Sequence, residues 1–260
     1  MSTKTIQGKL WSNAPQSWAK HFEPWFLPMY KKVLDELKLT EDHLVLDSGC
    51  GAGLFTNMAI STGAKVIGVD AAPGLLELAR QRNPRNNFME EDLEALPFAS
   101  NSFSVVVGFN SFQYAGNFEN ALAEAIRVLA QGGRLVLGIW DKPEMCEATN
   151  VLKAIGTLLP PPPPGTPGPF ALSEDGRIES SFEKNGLKII HKSSVACPFL
   201  HASLSNAVKS FMGTGPAAAA LDNNEKKTVE QTIAKALKPF ELVDRFHFLQ
   251  NHFLVFIAEK

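Results

Sequence analysis

The sequence contains no run of 18 apolar residues and no apolar stretch behind its polar N-terminus. That argues against a membrane-spanning helix and a secretory leader, and predicts a soluble, cytoplasmic protein with no membrane partner. Cysteine is scarce: Cys50, Cys146 and Cys197 are odd in number and widely spaced. They supply neither a disulfide framework nor a metal cluster, and Cys50 reads as a small packing residue inside a turn. Charge of one sign is missing as well. The formal net charge is −2, and Lys31-Lys32 and Lys226-Lys227 are the only lysine doublets. No field is left to hold a polyanion, so nucleic acid is not an expected partner. There is no internal repeat and no clear linker. With 260 residues and 45% apolar content the chain can bury a full core.

The most informative stretch is His43 to Phe55. Leu44, Val45 and Leu46 read as a short buried strand that Asp47 closes. Gly49, Gly51 and Gly53 follow as a tight turn, and a helix starts at Leu54. A strand, a Gly-rich turn and a helix N-terminus place backbone N–H groups against a ligand. The spacing is G-x-G-x-G, not the G-x-G-x-x-G of a dinucleotide site. A helix from Leu54 to Thr62 leads to a second strand, Lys65 to Asp70. Asp70 lies about 20 residues beyond the glycines, where a carboxylate accepts both hydroxyls of a ribose; the competing role is a helix cap ahead of Pro73. A third strand, Asn87 to Asp92, again ends in an acid. Asp92 with Leu93 either meets an adenine or caps a turn.

Phe103 to Gly108 reads as a fourth strand, with Asn110, Ser111 and Gln113 at its carboxyl rim. A helix over Phe118–Leu129, stopped by Gln131-Gly-Gly133, precedes a fifth strand, Arg134 to Trp140. Five strand–helix alternations predict an α/β, doubly wound parallel sheet. The pattern breaks after Asp141. Segments 142–172 and 196–240 read as helical cap insertions, the first containing the Pro160–Phe170 run, an expected rigid arch over the pocket mouth. Leu187 to Val195 and Asn251 to Ala258 read as further strands, with Phe246 to Phe248 a strand partner just before the last. Residues 1–40, rich in Trp11, Trp18, Phe22, Trp25, Phe26 and Tyr30, read as a helical lid ahead of a domain spanning 41–260.

Val45 to Gly53, Gly68-Val-Asp70, Glu91 to Phe98 and Arg127 to Leu135 together resemble the ordered motifs of class I S-adenosylmethionine-dependent methyltransferases, nearest to the small-molecule type 11 group. The resemblance implies a Rossmann-like seven-stranded sheet with its last strand antiparallel. It implies S-adenosyl-L-methionine as cofactor, held by Asp47, Ser48, Gly49, Gly51, Asp70, Ala71, Asp92, Leu93 and Asn110, with Asp47 near the ammonium and Asn110 at the methionine end. Ala52 stands where many members carry Thr, which keeps the turn small. Asn110-Ser-Phe-Gln113 replaces the Pro-Pro-aromatic signature of enzymes that methylate nucleic-acid amines.

The expected activity is methyl transfer to an O, N or C nucleophile of an apolar or aromatic small molecule. Trp11, Trp18, Phe112, Gln113, Phe170 and Phe211 are the candidate substrate contacts. A general base is needed only for a neutral hydroxyl acceptor, and His21 and His201 are the candidates; His191 and His247 fall in or beside strands. Metal is not expected, because Asn110 stands where a metal-assisted catechol-type site needs an acid. Two rivals remain: a cofactor-binding protein or pericyclase-like catalyst without methyl transfer, and an NAD(P)-dependent oxidoreductase, which the glycine spacing disfavours.

Overall fold

Leu44–Ser48 forms the central strand β1, and the chain crosses outward from it through α4 (Leu54–Ile60), β2 (Lys65–Asp70), α5 (Pro73–Arg82) and β3 (Asn87–Glu90). It then returns to the other side of β1 with β4 (Phe103–Phe109), α6 (Phe118–Val128) and β5 (Leu129–Trp140). The computed structural model describes residues 3–161 and 170–260. Lys188–Ala196 (β6) and His252–Glu259 (β9) complete a seven-stranded sheet of order β3-β2-β1-β4-β5-β9-β6. β1 to β5 pair in parallel, and β9 runs antiparallel between β5 and β6. The expected seven strands with an antiparallel last member are all present. The direction of crossing reverses between β1 and β4, so their carboxyl ends leave a crevice.

Three helices precede the sheet: α1 (Thr3–Trp11), α2 (Pro15–His21) and α3 (Leu27–Leu37). Among the described residues, five α-helices follow β5: α7 (Ala148–Gly156), α8 (Arg177–Lys184), α9 (Leu204–Met212), α10 (Gly215–Leu221) and α11 (Lys226–Leu237). α3 carries Pro28 in its first turn, ends on left-handed Lys38 and buries Met29, Tyr30, Val33 and Leu37, one stripe of its surface. The sheet separates two cores. One packs Phe22, Phe26, Tyr30, Phe199, Phe211 and Phe253 with the N-terminal and cap helices. The other packs Leu122, Val128, Ile178 and Phe182 from α6 and α8. No helix among the described residues is long and apolar enough to cross a membrane.

Residues 3–21 lie across the cap. Ser17 donates to the Lys209 carbonyl (2.7 Å), Ser210 donates to the His21 carbonyl (2.6 Å), and Lys9 pairs with Asp222 (3.1 Å). Two close approaches fix this seam. A Cβ on Gly213 would sit 2.6 Å from the Trp18 amide nitrogen, and one on Gly215 would sit 2.8 Å from the Trp11 indole.

Several boundaries differ from the sequence reading. Gln131-Gly-Gly133 lies inside β5, where Gly132 takes a positive φ and donates to the Lys260 carbonyl, so it is not a helix stop. His247–Leu249 (β8) pairs with Phe199–His201 (β7) in a separate two-stranded sheet, not with the last strand. The proline arch falls largely on 162–169, outside the described residues.

Candidate functional site

A cavity opens at the crevice between β1 and β4. Gly49 and Gly51 follow β1, Asp70 ends β2, Asp92 and Leu93 lie just past β3, and Asn110 and Ser111 follow β4. α1 and α2 form the remaining wall with Thr3, Lys4, Gln7, Trp11 and Trp18. Thr3, Gln7 and Trp11 are spaced by four and so share one helix face. That spacing was a readable signal for Thr3 and Gln7, which the sequence reading passed over along with Tyr114.

Asp70 is half-buried with its carboxylate already engaged. Oδ2 accepts from the Gly51 amide (2.8 Å) and Oδ1 from the Ala72 amide (2.9 Å). A carboxylate offers about four acceptor positions, so room for further donors remains. Burial raises its pKa, against the lowering effect of these amides.

The turn itself is organised differently from expectation. The Gly49 and Cys50 amides donate to the Val69 carbonyl, Gly51 to Asp70, Gly53 to the Cys50 carbonyl, and Ala52 and Leu54 to the Glu23 carboxylate. All six amides from 49 to 54 are spoken for within the protein. Glu23 is buried, pairs with Arg82 at 2.7 Å and caps α4 from outside its own helix. Arg82 also donates to the Ala52 carbonyl (2.8 Å). Sequence reasoning missed this clasp, because two charges 59 residues apart carry no local signature.

Asp47 and Ser48 do not line the cavity. Asp47 is buried behind the turn and accepts from the Thr56 hydroxyl (2.6 Å). Burial pushes it up to about 7, with the neighbouring Asp70 and Glu23 charges adding to the rise. Ser48 contributes its carbonyl to Ser111 Oγ (2.8 Å), which ties the tips of β1 and β4 together. Asn110 holds a left-handed backbone (φ 50), donates its amide to the Gly138 carbonyl and accepts from the Gln113 side chain. Asx residues tolerate that conformation best among non-glycines.

Among the candidate substrate contacts, only Trp11 and Trp18 reach the cavity. Their rings meet edge to face at 4.8 Å, and Trp11 meets Tyr114 at 5.3 Å. Burial holds the Tyr114 phenol well above its ordinary value, so it stays protonated. Phe112 packs in the core beneath α6, Phe211 is fully buried between the cap and α2, and Phe170 stands against Trp140. Gln113 reaches the site only through Asn110. Each is drawn off by apolar packing that the sequence cannot distinguish from a pocket wall. The two candidate bases also lie elsewhere. His201 is buried against Trp25 and paired in register with His247; burial first, then the His247 and His21 charges, lower it to about 4. His21 is lowered by burial and by Lys20 and Lys209. Among the described residues, no three His, Cys, Asp or Glu side chains gather to hold a metal ion.

Residues 46–137 match the methyltransferase-domain family Methyltransf_11. A malonyl-[acyl-carrier protein] O-methyltransferase from Serratia marcescens is 35% identical over 89 residues, 34% of this chain and 35% of that protein. A demethylmenaquinone methyltransferase from Renibacterium salmoninarum is 32% identical over 111 residues, 43% of this chain and 47% of that protein. The matched stretch thus spans less than half the length of either relative. The solved structure of YjhP from E. coli is similar in fold, with a TM-score of 0.61 at 16% identity over 96% of this chain and 98% of that one. Residues 46–137 are thus similar to the methyltransferase domains of the class I, type 11 group, which go with S-adenosyl-L-methionine as cofactor.

Proposed function

We propose that the protein transfers the methyl group of S-adenosyl-L-methionine to an O, N or C nucleophile of an apolar or aromatic small molecule in the cytoplasm, with no nucleic-acid partner. The observation that carries this reading is the charge balance of the crevice. Asp70, Glu91 and Asp92 line it at the tips of β2 and β3, against Lys4 as the cation among the lining residues. Such a rim favours a cationic ligand, and the cofactor carries a sulfonium and an ammonium against one carboxylate.

The bound cofactor supplies a methyl group already activated by its sulfonium. The chain's part is binding, alignment and exclusion of water. Asp70 has acceptor positions left for the ribose hydroxyls, Ala71, Asp92 and Leu93 suit the adenine end, and Gly49, Gly51 and Asn110 border the methionine end. Trp11, Trp18, Phe109 and Tyr114 make an apolar wall that supports an aromatic acceptor. Neither histidine candidate borders the cavity, which favours an acceptor that arrives deprotonated or loses its proton to water. Asp70→Ala removes the partner of two amides as well as a ribose contact, and calorimetry is expected to show cofactor affinity falling by about 1–3 kcal/mol. A panel of hydrophobic phenols, acids and amines tests the acceptor. Uniform preference for polar compounds overturns the substrate class, and bound cofactor with no S-adenosylhomocysteine formed across the panel favours the non-methylating alternative.

Residues 1–40 act in this reading as a lid over the 41–260 domain, completed by the cap segments. A Cβ on Gly8 would lie 2.3 Å from the Ala71 carbonyl, so α1 seats directly on the tip of β2. Gly8→Ala is expected to lift α1 at a cost of about 1–3 kcal/mol. Proteolysis within residues 3–11 should accelerate and cofactor affinity should fall severalfold, while the melting temperature of the sheet domain stays nearly constant.

A further inference from the structure

The Trp18 indole N–H is buried and has no hydrogen-bond partner, although Trp18 is only 7% exposed and borders the cavity. A buried donor left unpaired is costly, so a site that keeps one is built for an acceptor that arrives from outside. The position of this donor narrows the choice. A Cβ on Gly51 would come within 3.5 Å of Trp18 Nε1, so the indole nitrogen faces the open side of the turn. None of the six turn amides from 49 to 54 is free to serve an anion there. The cation on the α1 wall, Lys4, donates to the Glu90 carbonyl at the end of β3, beside the opposite end of the crevice. Arg82 is held by Glu23 and the Ala52 carbonyl.

We infer that Trp18 Nε1 is the donor that binds the carboxylate of the cofactor's methionine portion. The inference rests on the cofactor reading above, and it gives the carboxylate a neutral partner where helix, turn and guanidinium donors are all committed. Glu23 Oε1 lies 3.7 Å from the same point above Gly51. The indole is held in place by stacking on Phe22 at 4.9 Å and by the edge of Trp11.

Calorimetry with S-adenosylhomocysteine and with its decarboxylated counterpart, S-adenosyl-3-thiopropylamine, tests this. Trp18→Phe keeps a stacking ring and removes the N–H. It is expected to weaken S-adenosylhomocysteine about tenfold and to leave the decarboxylated compound within about twofold. Equal losses for both compounds, or no loss for either, overturn the assignment while the cofactor reading stands. If the unaltered protein binds neither compound, the cofactor reading itself fails. In the unaltered protein, the Trp18 indole proton should move downfield on adding S-adenosylhomocysteine and not on adding the decarboxylated compound; a resonance that responds identically to both also overturns it.

Discussion

Asp47→Asn is expected to stabilise the ligand-free protein by about 2–4 kcal/mol at pH 8 and by almost nothing at pH 4. Burial pushes the Asp47 carboxyl from 3.8 to about 7, with like charges on Asp70 and Glu23 adding to the rise. Between those two values the unfolded chain has released the proton and the folded chain retains it. The folded state therefore loses stability as pH rises through that window, and the loss is constant above it. Asparagine does not titrate, and its carbonyl oxygen can still accept from Thr56 Oγ1, now 2.6 Å from Asp47 Oδ2. Urea unfolding from pH 4 to 8 should show the two proteins diverging across the window. A difference that is the same at every pH would mean that Asp47 is not the titrating group.

Gly49→Ala is expected to cost about 3 kcal/mol of stability. Gly49 takes a φ of +80, and a Cβ there would lie 2.2 Å from Ser111 Cβ. Ser111 cannot yield cheaply, since its hydroxyl is bonded to the Ser48 carbonyl and it follows left-handed Asn110. Gly132→Ala is the internal comparison. Gly132 has a φ of +69 with nothing within 4 Å of its Cβ position, so it reports backbone strain alone, about 1 kcal/mol. Denaturant midpoints for the two variants should separate accordingly. If Gly49→Ala costs no more than Gly132→Ala, the tips of β1 and β4 are not in close contact in solution.

The stretch from β1 to β5 was legible because each signal is local. Apolar runs, acids at strand ends and Gly-rich turns recur at fixed spacing, and the element boundaries fall within a few residues of those expected. Glycine spacing told where the chain turns but not why each glycine is there. Gly49 is needed for Ser111, and the turn's amides are consumed by Val69, Asp70 and Glu23. Those are partners far along the chain, which no local pattern encodes. β7 and β8 have three residues each, too few to display alternation, so their pairing was invisible. The aromatic residues split between wall and core for a similar reason: Trp18 and Phe211 look alike as apolar letters, yet only one of them borders the crevice.

The seam between the first helices and the cap has a consequence for biosynthesis. Its bonds join residues 189 to 213 positions apart, such as Ser210 with His21 and Lys9 with Asp222. On a ribosome, the roof-forming residues leave the exit tunnel some 200 residues before α9 and α10, on which they seat. The nascent chain must therefore carry its exposed tryptophans until those helices emerge, and chaperone occupancy should peak over that interval.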